Sequence, residues 1–376
     1  MQCLVASDWD SVTAGSSIFL SRRYLQTAQN EFANQIVRDF GLIYRDGVPV
    51  AAVATQSFDV VGNQLIGDQL DQKIKLPSDW KRKSLSLLKR RIMICGNVHT
   101  WGLDGVAFAD GQDPAKLWQG VADCLYRIRR ANRLHGQTDY VIVKDLAASD
   151  RPAASTLGSY RYQAFETEPN MVLTIPQAWH SFDDYLASLT KRYRGAARKV
   201  LKPFVDGTLT ISNIENPAEQ ADQIYALYKA VAARADVCLF SLQPTTLPRM
   251  AESLGDDFVT IGIRQDETLV GFVTVVRDAE TAVGFYLGLN YQVNSNLPIY
   301  HRLLLAVIEQ AIQWQCRHIS FGRTALEAKS RLGCQPEATH VWVRHRVPIV
   351  NFVVQQLLKN VTHAEPPDRN PFKDVQ

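Results

Sequence analysis

Apolar residues recur along this chain with two periods, and the switches between them outline its elements. Over Pro114–Leu134, Leu117, Val121, Leu125 and Ile128 keep the spacing of one helical face. Ser21–Val37, Asp183–Lys202, Pro217–Ala235, Leu297–Cys316 and the short Ala325–Leu332 read as further helices. Apolar runs predict strands at Ile92–Gly96, Tyr140–Val143, Ala282–Leu287, His318–Phe321 and His340–Arg344, with two more inside Tyr160–Ile175. Gly41–Ser57 reads as a hairpin about the turn dipeptide Asp46-Gly47. Phe258–Arg264 and Leu269–Val276 form a second hairpin across Gln265–Thr268, while Asp59–Arg91 is irregular and basic toward its end.

The halves repeat one another. "LIYRDGVPVAAVAT" at 42–55 resembles "IGIRQDETLVGFVTV" at 261–275, each with a strand ending in Arg, an acidic turn and an apolar strand. Each hairpin precedes a third strand, a long helix and a buried strand, which points to an internal duplication. The expected division is 1–176 and 177–376, with the linker near Pro176–Ser181. The fold class is α/β (α+β): two tandem lobes, each a mixed twisted sheet flanked by helices. No G-x-G-x-x-G follows a strand and no G-x-x-x-x-G-K-[ST] occurs, which argues against a doubly wound dinucleotide fold.

Composition narrows the class. The 376 residues suit two domains, and 46% hydrophobic content supports a core in each. A net charge of +3 is too small to mark a nucleic-acid binder by itself. Met1–Ala14 lacks the basic and apolar regions of a signal peptide, and no apolar run nears the roughly 18 residues of a membrane span. A cytoplasmic protein with no integral membrane segment is expected. The six cysteines are scattered without C-x-x-C, and the eight histidines include no H-E-x-x-H, so no metal is expected.

Two stretches, "LTKRYRGAARKVLK" (189–202) and "FGRTALEAKSRLG" (321–333), carry a family resemblance. With Phe285-Tyr286-Leu287-Gly288 and the apolar helix Tyr300–Trp314 between them, the chain resembles the FemAB-like branch of the GNAT superfamily. These are tandem-domain proteins labelled peptidoglycan biosynthesis or recognition acyltransferases. The resemblance is strongest over 181–345 and faint over 1–160, as for a degenerate first lobe. It implies an acyl- or aminoacyltransferase that acts on an amine of a small or cell-envelope-precursor acceptor bound between the lobes. The donor would be acyl-CoA or aminoacyl-tRNA, with tRNA as a partner in the second case. The chain departs from the CoA-using pattern, Q/R-x-x-G-x-G/A before the long helix. Its matching residues, Tyr291–Asn296, contain no glycine. The alternative is a non-catalytic protein that recognises a polyanion, nucleotide-sugar or RNA.

Candidate residues fall in three groups. On the basic helix, Lys191, Arg194, Arg198 and Lys202 lie within about 80° of one another, a stripe suited to substrate phosphate. Before the long helix, Asn294, Ser295 and Asn296 supply a cap, and with Arg302 they form a candidate anion site for the donor. Tyr300 and His301 follow, His301 as a general base with a natural pKa near neutrality. The third group is Phe321–Thr324 with Arg323 and Lys329, the lysine favoured by the resemblance, which also picks out Tyr286. Two more basic clusters stand apart: Lys81–Lys83 with Lys89–Arg91, and Arg127, Arg129, Arg130 and Arg133. The latter lie late in a helix, where the macrodipole accounts for cations. No G-x-S-x-G is present, so direct attack by a positioned amine is expected rather than a covalent intermediate.

Overall fold

The computed structural model describes residues 5–61, 89–235, 239–352 and 367–373. In chain order the elements are α1 (Ala6–Thr13), α2 (Arg22–Glu31), β1 (Val37–Arg45), β2 (Val48–Val61), β3 (Lys89–Cys95), β4 (Val106–Phe108), α3 (Pro114–Ala131) and β5 (Tyr140–Ala147). There follow β6 (Gln163–Thr174), α4 (Phe182–Ser188), α5 (Lys191–Val205), β7 (Thr210–Asn213), α6 (Ala221–Ala232) and α7 (Thr246–Leu254). The last are β8 (Phe258–Gln265), β9 (Thr268–Asp278), β10 (Thr281–Leu289), α8 (Tyr291–Asn294), α9 (Ile299–Gln313), β11 (His318–Ser320), α10 (Leu326–Ser330) and β12 (Gln335–His345).

The chain divides into two compact units interleaved in sequence. The first comprises Met1–Glu168, Ala235–Ser241 and Ala338–His363; the second comprises Pro169–Arg234, Leu242–Glu337 and Ala364–Gln376. Strand β6 leaves one unit for the other at Pro169, and β12 returns at Ala338.

In the first unit β1-β2-β3-β5-β12 lie side by side, with β4 also on β2. In the second the order is β6-β11-β10-β9-β8-β7. The duplicated plan is visible in the pairing. β1/β2 and β8/β9 are antiparallel hairpins, β2/β3 and β9/β10 are antiparallel, and β3/β5 and β10/β11 are parallel. Helices α3 and α9 make the two crossovers. Asp113 caps α3 by accepting from the Ala115 N–H, and Leu117, Val121 and Leu125 bury one face. Helix α9 is apolar nearly all round, with Leu303–Ile308 wholly buried in the second core.

Both hairpins turn on two residues, since Asp46 and Asp266 take positive φ of 52°. The four-residue turn expected at Gln265–Thr268 is therefore shortened, and both of its strands run longer. Tyr160–Ile175 holds one strand where two were expected. The helix expected over Asp183–Lys202 is broken, because Leu189 and Thr190 take extended backbone and pair with the tail: Thr190 N donates to Pro371 O at 2.9 Å, and Leu189, itself buried, bridges Phe372. The basic cluster Lys81–Lys83 lies outside the described residues; Lys89–Arg91 opens β3. The sequence reading missed the short elements α1, β4, β7, α7 and α8, which have too few residues to show a period.

Glycine sets one close approach in the second unit. A Cβ on Gly288 would lie 2.6 Å from the Leu227 carbonyl carbon and 2.7 Å from Tyr228 N, and would also strike the Phe272 ring. Backbone cannot yield as a flexible side chain does, so Gly288→Ala is expected to destabilise the second unit by about 3 kcal/mol or more. Urea unfolding monitored by tryptophan fluorescence checks this, and a loss below about 1 kcal/mol, the lower bound for overpacking, would show that α6 does not seat on β10.

Candidate active site

In the second unit the parallel strands β10 and β11 pair only at Thr281–His318, Ala282–Ile319 and Val283–Ser320. Beyond that point they part. β10 continues along β9 to Leu289, with an irregularity between Gly284 and Leu287 that sets Phe285 and Tyr286 out of register. Thr274 Oγ1 bridges the irregularity, accepting from Tyr286 N at 2.9 Å and donating to Tyr286 O at 3.1 Å. The chain after β11 instead follows β6: Phe321 N donates to Met171 O at 3.0 Å, and Met171 N to Gly322 O at 3.1 Å.

Two buried polar side chains fasten this departure. Asn170, on β6, accepts at Oδ1 from Ser320 Oγ (3.1 Å) and Gly322 N (3.0 Å). Lys329, on α10, is 3% exposed and donates from Nζ to Phe321 O at 2.6 Å and Gly322 O at 3.1 Å. Burial lowers its pKa from 10.5 to about 8. Gly322 has φ of 76° and Ala325 φ of 53°, so the connection from β11 to α10 passes twice through the left-handed region. Arg323 lies within that connection.

Tyr300 and His301, in the first turn of α9, share the neighbourhood of α10. Their ring centroids are 5.6 Å apart. The Tyr300 phenol is pushed up to about 12, by burial and then by the fields of Tyr291 and Cys334. Cys334 adjoins Lys329 as well, its N–H donating to Lys329 O at 3.2 Å. His301 reaches solvent, yet the surrounding protein and then the Arg331 guanidinium hold its imidazole below the ordinary value. Arg331 and Arg369 flank Glu327 at 2.7 and 3.0 Å, which holds that carboxyl low. Tyr300 and Lys329 thus share Cys334 as a neighbour, and Arg331, two residues beyond Lys329, bears on His301. Tyr286 sits on the opposite lip, its ring against Tyr228 at 5.8 Å.

The anion site expected before α9 is occupied by the protein itself. Asn294 Oδ1 accepts from Tyr300 N at 2.8 Å, Ile299 N donates to Leu297 O, and Arg302 N to Pro298 O. Ser295 Oγ bonds Gln292 O, Asn296 N bonds Val293 O, and Asn290 caps α8 through Gln292 N and Val293 N. A self-capped helical turn stands where bare N–H groups would cradle a pyrophosphate. Arg302 is 6% exposed and turned inward, paired with Glu309 at 3.0 Å and packed over Phe204.

The basic stripe lies along α5. Arg194, Arg198 and Lys202 line an open groove of about 580 Å³ with Asp183 and Leu186 of α4. Lys191, the first residue of α5, is not part of its wall. Among the described residues none of these four cations forms an ion pair. Sequence reasoning missed Asn170 and Cys334. An asparagine inside an apolar strand was the available signal, because a buried amide demands partners.

The matching place in the first unit is filled. β3 and β5 pair to Cys95–Val143, and the following segment folds back over the strand ends. Ala54 N donates to Gly105 O at 2.8 Å, and a Cβ on Gly105 would lie 2.6 Å from the Cys95 carbonyl carbon. Lys144 Nζ holds Thr100 O at 2.6 Å and pairs with the buried Asp145.

Lys329 makes a pH-dependent contribution whose sign follows from its shift. Its folded pKa of about 8 lies below its unfolded value. Between the two, the unfolded chain binds the extra proton, so stability rises with pH across that window. Unfolding free energy is expected to increase by about 2 kcal/mol from pH 7.5 to 9.5, and this increment should vanish in Lys329→Met. Equal pH slopes for the two proteins in urea titrations would contradict the buried ammonium.

Residues 187–330 match the family model described as acetyltransferase (GNAT) domain. No curated protein matches the chain. Among solved structures, FemX is similar over 95% of this chain and 99% of its own, with a TM-score of 0.60 at 11% identity. A conserved protein of unknown function from Bacteroides thetaiotaomicron is similar over 91% of this chain and 98% of its own, with a TM-score of 0.50 at 12% identity. For a tandem GNAT protein from the clavulanic acid biosynthesis pathway the shares are 84% and 84%, the TM-score 0.46 and the identity 12%. The matched segment runs from the end of α4 through Lys329 and contains both parted strands. Residues 187–330 thus match a GNAT acetyltransferase domain, and the chain as a whole shares its fold with FemX.

Proposed function

We propose that the chain is an acyl- or aminoacyltransferase acting on an amine of a small or cell-envelope-precursor acceptor, with its site where β10 and β11 part. The observation that carries this reading is the group formed by Tyr300, His301 and the Lys329-fastened turn beside that parting. The acceptor amine attacks the donor carbonyl, a C–N bond forms, and the bond to the leaving oxygen or sulfur breaks. His301, its imidazole held neutral below its ordinary pKa, takes the proton the amine releases. Tyr300 stays protonated at neutral pH and returns a proton to the leaving group. Lys329 serves as a positioning residue, since its ammonium donates to the backbone carbonyls of Phe321 and Gly322.

The occupied N–H groups before α9 favour an aminoacyl-tRNA donor over acyl-CoA. In this reading Arg194 and Arg198 hold donor phosphates in the α5 groove, with Lys191 at its approach. Tyr286 and Arg323 border the acyl group from the two lips. As a division by descent, 1–176 and 177–376 is part of the same proposal, distinct from the interleaved contact units. No group of His, Cys, Asp and Glu among the described residues is placed to hold a metal, and none of the described helices is long and apolar enough to cross a membrane. The occupied turn also suits a non-catalytic polyanion-binding protein, which is the second reading.

Donor choice is tested by incubating the protein with aminoacyl-tRNA or acetyl-CoA and an amine acceptor, and detecting the new amide by mass spectrometry. Amide is expected from aminoacyl-tRNA; efficient turnover of acetyl-CoA would overturn the donor assignment, and ligand binding without turnover of either would establish the second reading. His301→Gln is expected to lower kcat by about 100-fold or more and to remove an acidic limb in the pH–rate profile lying below about 6.5. Arg194→Ala with Arg198→Ala should raise KM for the donor about tenfold with Tm unchanged, and an unaltered KM would take the α5 groove out of the site (the factor is on the order of one charge-assisted contact).

A further inference from the structure

The late turns of α3, in the first unit, carry a feature that helix electrostatics does not explain. Tyr126, Arg129, Arg130, Arg133, Gln137 and Thr138 line an open groove of about 420 Å³. Cations favour a helix C-terminus, but that effect needs only exposed charges, each near the end carbonyls. Here Arg129 is half-buried, and burial and then the charge of Arg344 lower its guanidinium from the ordinary value. Arg344 reaches the neighbourhood from β12. Both guanidinia lie near the hydroxyl of Tyr162, a residue 3% exposed, whose pKa burial pushes to about 12.

Like charges gathered with no acid between them cost folding energy unless an anion completes the set. Among the described residues, none of Arg129, Arg130, Arg133 and Arg344 forms an ion pair. The adjacent carboxylate is engaged elsewhere: Asp139 accepts from Arg346 Nε at 2.8 Å and from Arg91 N at 3.2 Å. Planar guanidinia in a fixed groove match the oxygens of a phosphate group in bidentate fashion. Tyr126 adds a ring 44% exposed, with Arg129 over its face at 5.4 Å.

We propose that this groove of the first unit is a phosphate-binding site, built from Arg129, Arg130 and Arg133 beside the Tyr126 ring, with the charge of Arg344 bearing on Arg129. It is independent of the transfer site and needs no turnover to be detected. Two sources carry the required chemistry, a free diphosphate group and the backbone of an RNA strand.

The test uses the full chain and two probes, pyrophosphate by calorimetric titration and a labelled single-stranded RNA 12-mer by fluorescence anisotropy. Saturable binding is expected, weakened about tenfold or more in Arg129→Ala/Arg133→Ala, with a log–log salt slope for RNA shallower by about one to two units. The variant should keep its Tm or raise it, because removing like charges relieves repulsion. Binding of both probes assigns a free diphosphate site, and binding of RNA alone assigns a strand-tracking site. The proposal is overturned if neither probe saturates, or if the variant binds as the parent does. It is also overturned if Arg344→Ala and the double variant lower Tm while leaving affinity intact, since the arginines would then be structural.

Discussion

The second unit depends on how one strand end is held. Parallel strands stay paired unless something competes for their backbone groups, and here Asn170 and Lys329 are the competitors. By taking the Gly322 N–H and the Phe321 and Gly322 carbonyls, they commit the end of β11 to β6 and leave β10 to run on beside β9 only. An ammonium buried to 3% exposure is costly, and this one persists because two carbonyl oxygens accept from it. The same tether fixes α10, and through Cys334 and Arg331 it bears on Tyr300 and His301.

The first unit shows what the same plan becomes without that tether. Its crossover, strand pairing and hairpin repeat those of the second, yet its strand ends are covered by the segment through Gly105 and pinned by Lys144. A lysine pins backbone carbonyls in both units, from β5 in the first and from α10 in the second, with opposite effect. Lys329 holds a turn away from the neighbouring strand, whereas Lys144 draws a loop over its own.

Much of this was legible in the sequence. The Asp46-Gly47 turn, the α3 face and the apolar α9 were set by local rules of turn chemistry and periodicity, so both hairpins and both crossovers could be placed. Tyr300 and His301 could be picked out from their place at the start of a helix, whereas Lys329 was reachable only through family resemblance, because its two carbonyl partners depend on α10 folding back onto the end of β11. Two things were not legible. Nothing local breaks the helix between α4 and α5; the tail does that from far along the chain. Nor does a stretch without glycine reveal that Asn290 and Asn294 close it into a self-capped turn, since the same asparagines could equally have faced a ligand.

The interleaving of the two units has a consequence for how the chain is made. Completing the first unit requires residues from Ala338 onward, and the second is closed by its last described residues. There Phe372 lies against Gly333, Arg369 pairs with Glu327, and Lys373 binds Ser188 and Ala187. Each unit therefore draws on distant stretches of the chain, and neither has its full set of contacts until residues beyond Ala338 have been made. A cut at Pro176–Ser181, where the sequence pattern places a linker, would fall inside the second unit, within Pro169–Arg234.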